Sequence, residues 1–281
     1  MRVVIDSNRV RSLELRQFLA AKATNKAVVT DWLMMEGYKA EAFGTLRDNL
    51  EVLGDFPQQV IVIKNTGMCM KVKPAPQMWK KLVWTEHTDT FTQFVDGVRF
   101  SKYRNSLIGQ AIQERAQIAM KRMEELESRA AIIMGPHQAA LELLASEDID
   151  LIRGKESKAN GFGRKIVSIV LLIAASYRQE LGLRPLASNS NAIRGDFILR
   201  VAVAHTADFI QWIQSGRNTS KRPSKVRNDY VDMMLSVYGT YFNGVMSGDT
   251  GLLEKLCLQR VLLSLFSVST PSSYQNGTGD L

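Results

Sequence analysis

The sequence predicts an α/β fold: a parallel sheet flanked by helices, interrupted by a large all-helical insertion. Three observations predict it. Val3-Val4-Ile5 is a continuous β-branched run, the pattern of a strand buried on both faces. A strand-helix-strand rhythm fills the first part of the chain. From about 104 to 215 that rhythm gives way to helical periodicity. The 281 residues suffice for one such domain with an elaborate insertion, and a 45% hydrophobic content can supply its core.

In order along the chain, Asp6-Ser7-Asn8 reads as the loop that ends the first strand, and Leu13 to Ala23 has helical spacing. Ala27-Val28-Val29 is short and apolar. Thr30 is a good N-cap for a helix from Asp31 to about Asn49. Phe56-Pro57 opens a second strand, Val60-Ile61-Val62-Ile63, which Asn65-Thr66-Gly67 ends. In the insertion, Ile108, Ile112, Ala119, Met123, Leu126, Ala130 and Ile133 fall on one helix face. Gly135-Pro136 is expected to break that helix and start another. Phe162 to Leu181 reads as a third helix, closed by Gly182 and Pro185. Gly195 to Ser215 is a fourth, closed by Gly216, and Ser224 caps a fifth. Tyr241 to Ser247 then reads as a strand, and Gly251 to about Phe266 as a helix. The tail from Thr270, rich in Ser, Thr, Gly and Asn, is expected to be disordered. The organisation is a core built from 1–103 and 216–269, a helical insertion at 104–215 and a flexible tail at 270–281.

Composition narrows the function. The 36 Lys+Arg outweigh 28 Asp+Glu, for a net charge of +8, which favours a polyanionic partner. Cys69 and Cys257 stand far apart without CxxC spacing, which argues against a zinc site or a disulfide scaffold and suits a reducing cytoplasm. The opening residues run straight into a strand without the apolar stretch of a signal peptide. The most apolar run, Ile166 to Ala175, is shorter than the roughly 20 residues a membrane span needs. These features predict a cytoplasmic protein with no membrane partner. Asn160-Gly161-Phe162-Gly163-Arg164-Lys165 has glycines but lacks the preceding strand and the Lys-Ser/Thr ending of a phosphate-binding loop. His205, within Val201-Ala202-Val203-Ala204-His205, reads as a satisfied core histidine.

Four acids carry the chemistry. In an open parallel sheet, ligands bind beyond the carboxyl ends of the strands. Asp6 ends the first strand, and Asp249 follows the strand-like Tyr241–Ser247 run. Asp232 lies on the helix feeding that run. Glu36 sits among apolar neighbours, where a solvated charge is unexpected. Asp229 is on the same helical face as Asp232, so either or both are candidate ligands. Such acids suit Mg²⁺ or Mn²⁺, hard cations that take oxygen ligands, and crowding them raises their pKa values.

The ordered set resembles the PIN-domain superfamily of nucleases, whose pattern is a strand ending in Asp, a helix carrying Glu, and a helix-strand unit with two more Asp. Val3-Val4-Ile5-Asp6-Ser7-Asn8 is similar to the first motif, Thr30 through Glu36 to the second, and Asp232 through Ser247-Gly248-Asp249 to the last. The resemblance covers residues 1–66 and 224–266. It implies a PIN-like, Rossmann-like core and a metal-dependent endoribonuclease. Asp6, Glu36, Asp232 and Asp249 would be catalytic and, with Asp229, would hold magnesium or manganese. Ser7 and Ser247 would orient carboxylates or waters. Two other readings stand beside it. One is a catalytically weak PIN-like module that binds nucleic acid or protein. The other is a toxin with an antitoxin-like regulatory partner, from which the chain's larger size sets it apart; a homo-oligomer is also open. A haloacid-dehalogenase-type phosphatase also starts with a strand-Asp, but needs a second Asp where this chain has Asn8.

Arg217, Lys221, Arg222, Lys225 and Arg227 lie in an acid-free stretch just before the Asp232 helix, and are the candidate contacts to nucleic acid, expected to be RNA. Lys71, Lys73, Lys80 and Lys81, interleaved with Trp79 and Trp84, suit stacked single-stranded bases and read equally as a solvated linker.

Overall fold

A computed structural model gives the fold for every residue except 39–41, 76, 101–105, 157–159, 187–192, 194, 217–221, 269 and 272–281. The tail expected to be disordered therefore lies almost wholly outside the described residues. At the centre is a four-stranded parallel sheet in the order β3-β2-β1-β4. Its strands are β1 (Arg2–Ile5), β2 (Lys26–Val29), β3 (Val60–Val62) and β4 (Val245–Met246). Val3 lies opposite Ala27, Val28 opposite Ile61 and Val4 opposite Val245. Val3, Val4, Ile5, Ala27 and Val28 are fully buried, as a parallel sheet covered on both faces requires. The chain lays down β1, β2 and β3 in one direction, then returns to add β4 on the far side of β1. The order thus reverses between β1 and β4, and such a switch point opens a crevice at the strands' carboxyl ends.

Two strand expectations need correction. The short run Ala27-Val28-Val29 is a strand, β2, so the Val60 segment is the third. Most of Tyr241–Ser247 is a turn: Asn243 donates its N–H to the Arg2 carbonyl, and its Oδ1 accepts from the Arg2 N–H, both at 2.8 Å. Gly244 follows at φ 131, a conformation that favours glycine, and only Val245–Met246 pairs with β1.

α1 (Leu13–Ala21) starts at Ser12, whose hydroxyl accepts from the Leu15 N–H. α2 (Asp31–Gly37) starts at Thr30, whose Oγ1 accepts from the Leu33 N–H at 3.1 Å. It stops at Gly37 rather than running to Asn49, and α3 (Ala42–Asn49) packs against it as a separate helix. Gly37 permits that approach, since a Cβ there would come within 3.3 Å of the Asn49 side-chain amide. Five short helices follow up to 100: α4 (Glu51–Asp55), α5 (Thr66–Met70), α6 (Met78–Leu82), α7 (Thr85–Asp89) and α8 (Phe91–Phe100).

The helical region comprises α9 (Leu107–Ser128), α10 (Ala130–Leu141), α11 (Ser146–Ile152), α12 (Phe162–Glu180) and α13 (Phe197–Gln214). The break expected at Gly135-Pro136 falls instead at Arg129, and α10 runs through both residues. Pro136 lacks an amide donor, yet the helix continues past it and buries His137 and Ala140. α14 (Pro223–Gly239) begins with proline in its first turn behind Arg222, so Ser224 lies inside the helix instead of capping it. α15 (Thr250–Ser264) follows β4.

Two apolar cores result. One surrounds the sheet and takes Ile112, Ala116, Ala119 and Met123 from α9. The other lies among α12, α13 and α15. α13 feeds both: Phe197, Val201 and Ala204 face the first, Leu199, Val203 and Phe209 the second. Among the described residues no helix is long and apolar enough to cross a membrane.

Candidate active site

The first acid owes its place to β1. Asp6 continues the ladder one step past the strand, its N–H donating to the Met246 carbonyl at 3.1 Å. Its side chain is only 7% exposed and both carboxylate oxygens are engaged. Oδ1 accepts from the Ser7 N–H at 2.7 Å, and Oδ2 from the Ser247 hydroxyl at 2.6 Å. Burial pushes the Asp6 carboxyl above its usual range; these two hydrogen bonds oppose the shift, and the charges of Glu36 and Asp249 add to it.

The other three acids arrive from separate elements. Glu36 is in the last turn of α2, where its Oε2 accepts from the Ser7 hydroxyl at 2.7 Å. Ser7 thus joins the two acids, giving its N–H to one and its O–H to the other. Asp249 follows β4 and is exposed. Its Oδ1 accepts from the N–H groups of Gly251 and Leu252 at 2.7 and 3.2 Å, capping α15. Asp232 projects from α14, half-buried. Its carboxyl is pushed up to about 7, mainly by burial; Lys255 opposes the shift and Asp6, Asp249 and Asp229 reinforce it.

These four carboxylates line a single cleft of about 320 Å³ at the switch point, with Ser7, Asn8, Trp32 and Asn228 among the other walls. Ser247 ties its floor together: besides donating to Asp6, its Oγ accepts from the Asp249 N–H at 2.9 Å and from the Asn8 amide at 3.4 Å. The Asn8 Oδ1 accepts in turn from the Gly248 N–H at 3.0 Å. Trp32 is 6% exposed, and its indole nitrogen has no hydrogen-bond partner among the described residues.

The donor set, oxygen without sulfur or imidazole, fits a hard divalent cation in kind. In spacing, no group of three or more Asp, Glu, His or Cys among the described residues is close enough to hold an ion directly. An ion in this cleft would have to keep part of its water shell between itself and the acids, as Mg²⁺ commonly does.

Asp229 does not line this cleft; it lies 3.7 Å from Lys225, one turn earlier on α14. Of the basic run, Arg217 and Lys221 lie outside the described residues. Arg222 and Lys225 are exposed at the start of α14. Arg227 is committed elsewhere: Nη1 pairs with Glu127 at 2.5 Å, while Nε and Nη2 donate to the side-chain Oδ1 of Asn228. In the second basic run, Trp79 packs under the Arg2 guanidinium at 3.8 Å and edge-on to Phe242. His205 is buried, with Nε2 2.6 Å from the Tyr177 hydroxyl, and burial pulls it down to about 4.

Sequence reasoning missed Asn8 and Asn228 as cleft residues, and a buried cation. Lys255 on α15 lies 2.9 Å from Asp208, whose other oxygen is 3.5 Å from His137. Burial opposes the Lys255 charge, but Asp208, Asp229 and Asp232 outweigh it and raise its pKa. The only sequence signal for Lys255 is a lysine on the same buried face as Leu252 and Leu256. The chain matches no family model, no curated protein and no solved structure.

Proposed function

We propose that this chain is a metal-dependent nuclease of the PIN type, an endoribonuclease that hydrolyses phosphodiester bonds in the cleft between β1 and β4. One observation carries the reading: Asp6, Glu36, Asp232 and Asp249 come from four separate elements and line one cleft at the switch point of a parallel sheet. Mg²⁺ or Mn²⁺, when bound, would supply an acidified water and positive charge for the leaving oxygen.

The chain's own residues would prepare that site. Asp6, Glu36, Asp232 and Asp249 would hold the cation, through water or directly once their side chains draw in. Ser247 and Ser7 fix the Asp6 carboxylate by hydrogen bonds, so its orientation does not have to be found at the moment of reaction. Burial pushes the Asp232 carboxyl up to about 7, and holding a cation there would favour its ionised form. Arg222 and Lys225 place positive charge at the start of the helix that carries Asn228 and Asp232, where they would meet phosphates of an RNA strand.

The second reading, a catalytically weak binding module, draws support from the absence of three closely grouped acids among the described residues. Melting and cleavage separate the two. Under the nuclease reading Mn²⁺ raises Tm by binding only the folded state, and Asp6→Asn blunts the rise. Asp249→Asn abolishes Mn²⁺-dependent cleavage of single-stranded RNA while leaving RNA affinity intact or higher. RNA binding without cleavage in any divalent metal would hand the site to the binding-module reading.

A further inference from the structure

The carboxylates that line the cleft repel a phosphodiester, so a strand entering it must be held by cations beside it. Arg222 and Lys225 stand at the start of α14. On the β4 side, the sequence singled out no basic residue. The structure puts one there.

Arg9 lies in the turn that follows Asp6, fixed by its N–H donating to the Asp6 carbonyl at 3.0 Å. Its side chain is 38% exposed and reaches across to the loop after β4. A Cβ built on Gly248 would lie 3.3 Å from Nε, 3.3 Å from Nη2 and 3.4 Å from Cζ of Arg9. Such equal distances mean the guanidinium sits face-on above Gly248. Its N–H groups lie in its own plane, so they point sideways and not into the backbone beneath. The buried Nε of Arg9 is the atom that faces Glu14, in an ion pair at 3.6 Å that is too long for a hydrogen bond. An open groove of about 500 Å³ runs past Arg9, Gly248 and Thr250. It joins the acidic cleft, because Asn8 and Asp249 line both.

We propose that Arg9 is a phosphate-positioning residue. Its guanidinium, seated over Gly248, holds a backbone phosphate next to the one presented to the carboxylates, in a single-stranded polynucleotide lying across Asn8 and Gly248. This rests on the nuclease reading for the cleft and adds the direction in which the substrate leaves it. Arginine suits the role because its planar fork meets two phosphate oxygens at once. Gly248 lets the fork settle there, since a Cβ at 3.3 Å would press it outward by a few tenths of an ångström.

The test uses a labelled single-stranded oligoribonucleotide, titrated by anisotropy across salt concentrations in EDTA, beside Mn²⁺-dependent cleavage kinetics. Arg9→Gln should weaken binding several-fold and reduce the salt slope by about one unit, one lost phosphate contact. KM should rise with kcat little changed. Arg9→Lys should keep most of the slope and recover part of the KM, and it serves if the glutamine variant folds poorly. Glu14→Gln should move affinity the opposite way by releasing the guanidinium, and Gly248→Ala should reproduce part of the Arg9→Gln loss. Arg11→Gln removes the same charge nearby, where Arg11 faces Asp48 at 3.3 Å outside the groove, and should change little. A wild-type slope and KM in Arg9→Gln, or an equal loss in Arg11→Gln, overturns the proposal and leaves the nuclease reading standing wherever the wild type cuts. A wild type that binds through Arg9 but never cuts keeps the contact and removes the nuclease. A wild type that binds no oligonucleotide overturns both.

Discussion

Burial pushes the Asp232 carboxyl up to about 7; the neighbouring acids add repulsion and Lys255 offsets part of it. The sign of the linkage follows. Between the ordinary value of 3.8 and about 7, the folded protein binds a proton that the unfolded chain has released. Without metal, stability from this group therefore falls as pH rises through that window and is flat above it. Asp6, also raised, contributes in the same direction. Asp232→Asn should be more stable than wild type at pH 8, by a few kcal/mol at most, since each pH unit of that window is worth roughly 1.4 kcal/mol. At pH 4 the two should differ little from this cause. Urea unfolding at the two pH values measures it, and an equal pH dependence in both proteins would show that Asp232 is not the group responsible. Stabilisation by Mn²⁺ should grow with pH over the same window, because the cation must displace the proton.

At the scale of elements, three of the four acids stand at element ends, after β1, in the last turn of α2 and at the start of α15, while Asp232 comes from the middle of α14. Asp249 has two duties there, capping α15 with Oδ1 and facing the cleft. The duties separate by substitution. Asp249→Ala should cost about 1 kcal/mol from the lost cap, while Asp249→Ser keeps a capping oxygen and should melt within a few tenths of a kcal/mol of wild type. Under the nuclease reading both lose cleavage. Thermal melts alongside the RNA assay distinguish these outcomes; equal melting of the two variants would mean the cap adds nothing. Caps were legible where a single hydroxyl precedes a helix, as at Thr30. The start of α14 was not, because proline in its first turn places the boundary ahead of Ser224.

Across the whole molecule, α13 couples two cores, presenting Phe197 and Val201 to one and Val203 and Phe209 to the other. α15 links the cleft to the second core, since Asp249 caps the helix whose Leu262 and Leu263 pack there. Phe209→Ala, at a fully buried position, should cost about 3–5 kcal/mol. Unfolding should remain one transition, with far-UV circular dichroism and tryptophan fluorescence coincident. Separate transitions would instead make 104–215 an independent unit.

The sequence by itself determined the α/β class, the strand that ends in Asp6, the Thr30-capped helix that carries Glu36 and the helical character of the region after 104. Each follows from neighbours within a turn or two, through periodicity, β-branching and capping. Tertiary structure alone decided the rest. β2 needed β1 and β3 on either side to make a strand of four residues, and Asn243 needed Arg2 to turn most of the Tyr241–Ser247 run. Asp229 and Asp232 share a helix face in sequence, yet only Asp232 lines the cleft. Arg227, basic like its neighbours, is claimed by Glu127 from α9. Arg9 gained its place from Gly248, at the other end of the chain. For β2, Asn243, Arg227 and Arg9 the deciding partner is remote in sequence, and no local pattern encodes which remote group will arrive.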